Sequence, residues 1–263
     1  MGVEMSTTEI DINVDIGEGF GRYRIGNDES VMRFATSANI ATGFHGGDPS
    51  IMLETVKLAK KYHVGIGAHP ALQDLRGFGR RRIQLDANEL YPDLLYQIGS
   101  LDGIARSENL QVEHVKLHGA LYAMTEDIDR YAEVAAEAIH SYNPELIVIT
   151  ENGTEMQRAA QKTGLLVAVE AFPDLKYTAE GKIIIERTKE VWNPELVAER
   201  ALRLVREGCI DNINGEMIKT EISTMCLHSD APNASDIIEM VRGVLEKNGI
   251  RLRRLREIIG EGK

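Results

Sequence analysis

The feature that most constrains this chain is rhythm. Short β-type runs alternate with helical patterns about seven times along 263 residues. "EIDINVDI" (9–16) alternates polar and apolar residues, with Ile10, Ile12, Val14 and Ile16 on one face. Further strands are expected at 38–44, 64–70, 112–119, 145–150, 165–172 and 221–228. Helices are expected between them at 27–37, 49–63, 87–108, 125–141, 153–163 and 194–207, with a closing helix at 233–247. "GKIIIER" (181–187) suits an inserted strand or a hairpin arm. Asp48-Pro49 supplies a helix cap followed by proline at the first helical position. Strands alternating with helices pair in parallel. Seven such units without a Pro-, Gly- or Ser-rich linker favour a closed α/β structure, a distorted (β/α)7-type barrel in one domain over 1–263. An open doubly wound sheet is the runner-up, but "GEGFGR" (17–22) lacks the final glycine of G-x-G-x-x-G. No G-x-x-x-x-G-K-[ST] loop occurs.

Composition narrows the function classes. A net charge of −11 opposes nucleic-acid phosphates and anionic membranes, so neither is an expected partner. The cationic run at 251–260 suits a solvated terminal helix face. The first residues show no basic segment leading into an apolar core, and no window nears eighteen apolar residues. Cys209 and Cys226 form no C-x-x-C, and two thiols in this length suit a reduced compartment. A cytoplasmic location is the expectation.

In parallel barrels, chemistry sits at the C-terminal ends of the strands. Those ends carry Asn13, Asp15 and Glu18; His45 and Asp48; His69; Lys116 and His118; Glu170, with Asp174 beyond; and His228 and Asp230. Four of seven histidines fall there, while His63, His114 and His140 do not. Carboxylates and imidazoles at one mouth suit general acid–base hydrolysis. They equally suit a divalent metal held by Asp15, His45, His69 and His118. Spacing leaves both open. Lys116 shares an inward face with His118 and either neutralises a carboxylate or polarises a carbonyl. "GFGRRR" (77–82) is an oxyanion loop around Arg80 or a solvated surface run. Asp48 divides between capping and catalysis.

"NVDIGEGFG", "SANIATGFHGGDP", "VGIGAHPALQDLRGFGRR" and "VKLHGALY" resemble, in order, the motifs of the LamB/YcsF family. "EAFPDLKY" and "STMCLHSDAPNA" continue the likeness, which spans about 10–250. The resemblance implies a distorted barrel related to the glycoside hydrolase/deacetylase superfamily. It implies a 5-oxoprolinase A-subunit, opening 5-oxo-L-proline to L-glutamate with ATP as co-substrate and subunits B and C as partners. Homo-oligomerisation stays open. The expected catalytic set is Asp15, Glu18, His45, Asp48, His69, Lys116 and His118, with Asn13, Arg80, Glu170, His228 and Asp230 binding substrate. The chain departs from the family motifs at Val14, Thr42, Ala123, Leu175 and Ser229, where the family carries Cys, Cys, Asn, Arg and Gly. Leu175 in place of Arg bears on how a substrate carboxylate is held. The alternatives are a stand-alone metal-dependent amidohydrolase or deacetylase, and a non-catalytic ligand-binding subunit.

Overall fold

The computed structural model describes residues 8–184 and 190–260. Seven parallel strands close into a ring: β1 (Glu9–Ile16), β2 (Ser37–Ala41), β3 (Gly65–His69), β4 (Val112–Lys116), β5 (Ile147–Thr150), β6 (Leu166–Ala171) and β11 (Thr224–His228). The ring closes where β1 pairs with β11, from Asp11↔Thr224 to Asp15↔His228. Its shortest seam is β6–β11, paired at Thr224↔Glu170 and Met225↔Ala171. The connection across that seam carries two antiparallel hairpins and a helix: β7 (Lys176–Tyr177) with β8 (Ile183–Ile184), α7 (Pro194–Glu207), and β9 (Cys209–Asp211) with β10 (Met217–Lys219).

The remaining helices are α1 (Asp28–Met32), α2 (Pro49–Tyr62), α3 (Ala87–Ser107), α4 (Gly119–Asp127), α5 (Asp129–Tyr142), α6 (Glu155–Thr163), α8 (Ala234–Lys247) and α9 (Leu255–Gly260). β12 (Arg251–Leu252) lies beside β1 at Glu9↔Arg251. Helix edges follow capping chemistry. Asn193 caps α7 ahead of Pro194, and Gly208 ends it in the left-handed region.

Several expectations need correction. The helix expected at 27–37 stops at Met32, because Thr36 is needed to bond Asp11 Oδ1 and the Ile12 amide while Ser37 opens β2. The helix expected at 125–141 is two, α4 and α5, hinged at an extended Ile128. The cationic run at 251–260 is a short strand followed by a helix rather than one solvated helix. The "GKIIIER" run is a hairpin arm at Ile183–Ile184; residues 185–187 lie outside the described residues.

The side chains sort unusually for a barrel. Ile10, Ile12, Val14 and Ile16 point outward into the main apolar core beneath the helices. The inward face of β1 is Asp11, Asn13 and Asp15, all buried. Opposite them inside the ring, Ile147, Ile149 and Ala168 form a small apolar cluster sealed by Leu255 of α9. The barrel interior is thus polar on one side, and that polar column ends at the mouth.

Candidate active site

The column builds upward from Asp11. Its Oδ1 accepts from Ser37 (2.7 Å), and its Oδ2 accepts from Thr224. Above it, Asn13 Nδ2 donates to Thr224 Oγ1 (2.7 Å). Asn39 Nδ2 donates to Asn13 Oδ1 (2.7 Å) and to Asp15 Oδ1 (2.8 Å). This leaves Asn39 Oδ1 to accept from His114 Nε2 (2.8 Å). Asn13, expected to touch substrate, is not among the residues that line the cavity; it bonds Asn39 and Thr224, and Lys116 Nζ lies 3.4 Å from its Oδ1.

Asp15 is the centre of charge. Lys116 Nζ lies 3.1 Å from its Oδ1, and His69 Nε2 lies 3.4 Å from its Oδ2. Burial opposes ionisation, but His69 and Lys116 outweigh it and hold the Asp15 carboxyl well below the usual range. Lys116 also meets Glu170 Oε2 (3.1 Å) and Cys226 Sγ (2.9 Å). Burial would discharge the amine, yet Asp15, Cys226 and Glu170 raise its pKa well above the ordinary lysine value. Asp15 with Lys116 therefore forms a buried ion pair, one of the two roles expected for the lysine.

A second group gathers beside it. Glu18 Oε1 lies 3.3 Å from His45 Nε2 and 3.5 Å from His118 Nδ1. His69 Nε2 is 2.9 Å from His118 Nδ1. The His45 and His118 rings stack at 3.7 Å and 6°. All four side chains are buried. Burial, reinforced by the Asp15 charge, pushes Glu18 up to about 7. The donor atoms of Glu18, His45, His69 and His118 lie within 4.8 Å of one another, a cluster able to hold a metal ion. Glu18, outside the metal set expected from the sequence, joins the three histidines in that cluster, while Asp15 falls in a second one with Cys226 and His228.

Asp48 stands apart. Its Oδ1 accepts from the Ser50 and Ile51 amides and its Oδ2 from Gly21 N, so both oxygens serve the N-terminus of α2 and its neighbouring loop. His228 Nδ1 faces Asp174 Oδ2 at 2.9 Å, its ring stacks on Phe172, and its Nε2 lies 3.9 Å from Asp15 Oδ2. Arg80 leaves the surface run: it pairs with Asp230 (2.8 Å) at the rim and lies over Phe78. Arg81 and Arg82 pair outward with Asp74 and Asp127.

These groups enclose a cavity of about 50 Å³. Asp15, Glu18, Lys116, His69, His118, His228 and Arg80 give it polar walls. Leu117, Tyr122, Phe172, Leu175 and Ile183 give it an apolar side. Glu170, paired with Lys116, lines instead a neighbouring cavity of about 310 Å³ with Glu126 and Glu151. Glu151 directly follows β5, the one strand end for which no site residue is expected. Asn39, His114 and Cys226 also lie outside the expected set. His114 and Cys226 sit two residues before Lys116 and His228 on inward strand faces, so period-two alternation could have found them, and Asn39 pairs across from Asp15.

Likeness to known proteins agrees with this architecture. A relative from Pyrococcus abyssi, named as a 5-oxoprolinase A-subunit, is 41% identical over 254 residues, covering 95% of this chain and 99% of its own. Another from Pseudomonas putida, named as 5-oxoprolinase A-subunit 1, is 42% identical over 246 residues, covering 93% and 98%. The crystal structure of a lactam utilization protein from Thermus thermophilus superposes with a TM-score of 0.88 at 39% identity, covering 94% and 99%. The sequence pattern of the LamB/YcsF family matches residues 10–260, and with relatives this similar along nearly their whole length, the chain belongs to that family.

Proposed function

We propose that this chain is the lactam-binding subunit of an ATP-dependent 5-oxoprolinase, working as one barrel unit with two partner subunits. The observation that carries the reading is the two-sided cavity. It is small, with fixed charges on one side and an apolar wall on the other. A five-membered lactam bearing a carboxylate has the same division: methylenes on one edge, an amide and a carboxylate on the other. Relatives named as 5-oxoprolinase A-subunits support the assignment.

Ring opening adds water across the amide C–N bond. Hydroxyl goes to the carbonyl carbon and a proton goes to nitrogen. The amide is resonance-stabilised, so coupling to ATP in the assembled enzyme drives the step: the amide oxygen takes the γ-phosphoryl group with release of ADP, water adds to the imidate-like carbon and the C–N bond breaks, and a second water releases phosphate from the acyl phosphate. Lys116, kept charged by its acidic neighbours, meets negative charge developing on that oxygen. His228 moves the proton through Nε2, while Asp174 fixes its Nδ1–H tautomer. Asp15 stays ionised and aligns Lys116 and His69. Arg80 receives the substrate carboxylate, the role open once Leu175 stands where the family motif carries Arg. A divalent ion at the imidazole cluster would supply Lewis-acid polarisation of an oxygen.

The test is glutamate release from 5-oxoproline by the purified chain combined with its two partner subunits. Release that requires ATP is the expected result; no release from the complete assembly overturns the reading. Within the active assembly, Arg80→Met raises KM for 5-oxoproline by about 10- to 100-fold, the value of a charge-assisted hydrogen bond.

A further inference from the structure

The mouth of the barrel contains a proton-counting problem. His69 Nδ1 lies 2.7 Å from the Lys116 carbonyl oxygen. His118 Nε2 lies 2.9 Å from the Phe78 carbonyl oxygen. Carbonyl oxygens only accept, so those two nitrogens carry the ring protons. The remaining nitrogens, His69 Nε2 and His118 Nδ1, then face each other across 2.9 Å, with Asp15 Oδ2 3.4 Å from His69 Nε2. Beside them, Glu18 Oε1 is buried without a hydrogen bond, and both ring nitrogens of His45 are in the same condition. His45 is 1% exposed. Buried polar atoms left without partners destabilise the fold.

From this geometry we infer that Glu18, His45, His69 and His118 form a binding site for one divalent transition-metal ion. One cation answers Glu18 Oε1, His45 Nε2 and the His69–His118 contact together. A proton on His69 Nε2, shared with Asp15 Oδ2, answers only that last contact and leaves His45 and Glu18 Oε1 without partners. Three imidazoles and one carboxylate suit Zn²⁺ and Co²⁺ better than Mg²⁺ or Ca²⁺, which take oxygen ligands. Tetrahedral ligands about 2.0–2.1 Å from one ion lie about 3.3–3.4 Å apart. Three pairs of the four donors already stand at 2.9–3.5 Å and all lie within 4.8 Å, so the widest pair closes by up to about 1.5 Å on binding. The outer ring nitrogens are held by the Lys116 and Phe78 carbonyls, an arrangement that fixes tautomer and ring orientation in metal sites. Gly79 belongs to the same construction: a Cβ there would stand 2.7 Å from His118 Cδ2 and 2.9 Å from His45 Cβ.

The test uses the full chain without a histidine tag, stripped with chelator and titrated with Co²⁺ and Zn²⁺. It needs neither lactam nor ATP, so its failure and that of the functional reading are separate results. One equivalent is expected, with Co²⁺ d–d absorption in the visible. Affinity falls at least about 100-fold in His45→Ala and Glu18→Gln, and is unchanged in Asp48→Asn. Folded wild-type protein that takes up no stoichiometric ion overturns the inference. So does uptake that His45→Ala and Glu18→Gln leave intact. Should those variants fail to fold, ¹H–¹⁵N spectra of wild-type histidine side chains decide. Zn²⁺ is expected to shift His45, His69 and His118 and to spare His63 and His140; the reverse pattern refutes the site.

Discussion

His114 shows how a side chain outside the cavity governs one inside it. Its ring lies where a Cβ at residue 67 would be, 2.1 Å from the ring's Cδ2, so only glycine admits it. Its Nε2–H then sets the Asn39 amide, which sets Asp15. In the active assembly, His114→Phe is expected to lower kcat about 10-fold with KM within twofold, while His114→Gln, which restores a donor, recovers most of the loss. Steady-state kinetics separates this from simple destabilisation, which would lower active-site concentration without that rescue. Asp11, at the foot of the same column, has a different signature. Burial raises its pKa from 3.8 to about 6 against three hydroxyl donors. The native state therefore keeps a proton that the unfolded chain has lost, and stability falls as pH rises from about 4 to 6, then levels. The difference is worth about 3 kcal/mol. Chemical denaturation from pH 4 to 7 should show this decline in the wild type and a flatter profile in Asp11→Asn. At this scale the mouth residues were legible because they follow apolar runs. Asn39 and His114 were hidden inside short strands, where polarity resembles a break in the pattern rather than a lining.

Among the elements, those with strong end signals were the legible ones. Asp48-Pro49 and Asn193-Pro194 place the starts of α2 and α7 at the expected residues. α4 was not legible because it starts immediately after a strand, with no side-chain cap at His118 and Gly119 at φ +55°. The β9–β10 hairpin was hidden for another reason: strands of three residues are too short for alternation to register. Asp48 itself tests the distinction between cap and catalyst. Asp48→Ala should lower stability by about 1 kcal/mol, and Asp48→Asn by less, with kcat in either variant within twofold of the parent. Thermal melts alongside turnover check both halves; a large fall in kcat for Asp48→Asn would return the residue to the catalytic set.

Over the whole molecule, the ring has two unlike ends. The closed parallel topology was legible from the alternation of strands and helices, but the seal on the lower end was not. That seal is Leu255, wholly buried against Ile147, Ile149 and Ala168, with its amide donating to Ser37 Oγ (3.3 Å). A charged stretch preceding a short helix gives no hint that one leucine from it plugs a barrel. Leu255→Ala should cost about 2–5 kcal/mol by calorimetry or denaturant melts, with metal uptake and KM unchanged, since the change lies at the end away from the mouth. No helix among the described residues is long and apolar enough to cross a membrane.

The position of β12 has a practical consequence. Because Arg251 N bonds to Thr8 O beside the first residues of β1, both ends of the described chain emerge from the sealed face. A label attached at Thr8 or Arg251 would sit on the sealed face, away from the mouth. The rim of the mouth, with the Arg80–Asp230 pair, would stay open to whatever approaches from the front.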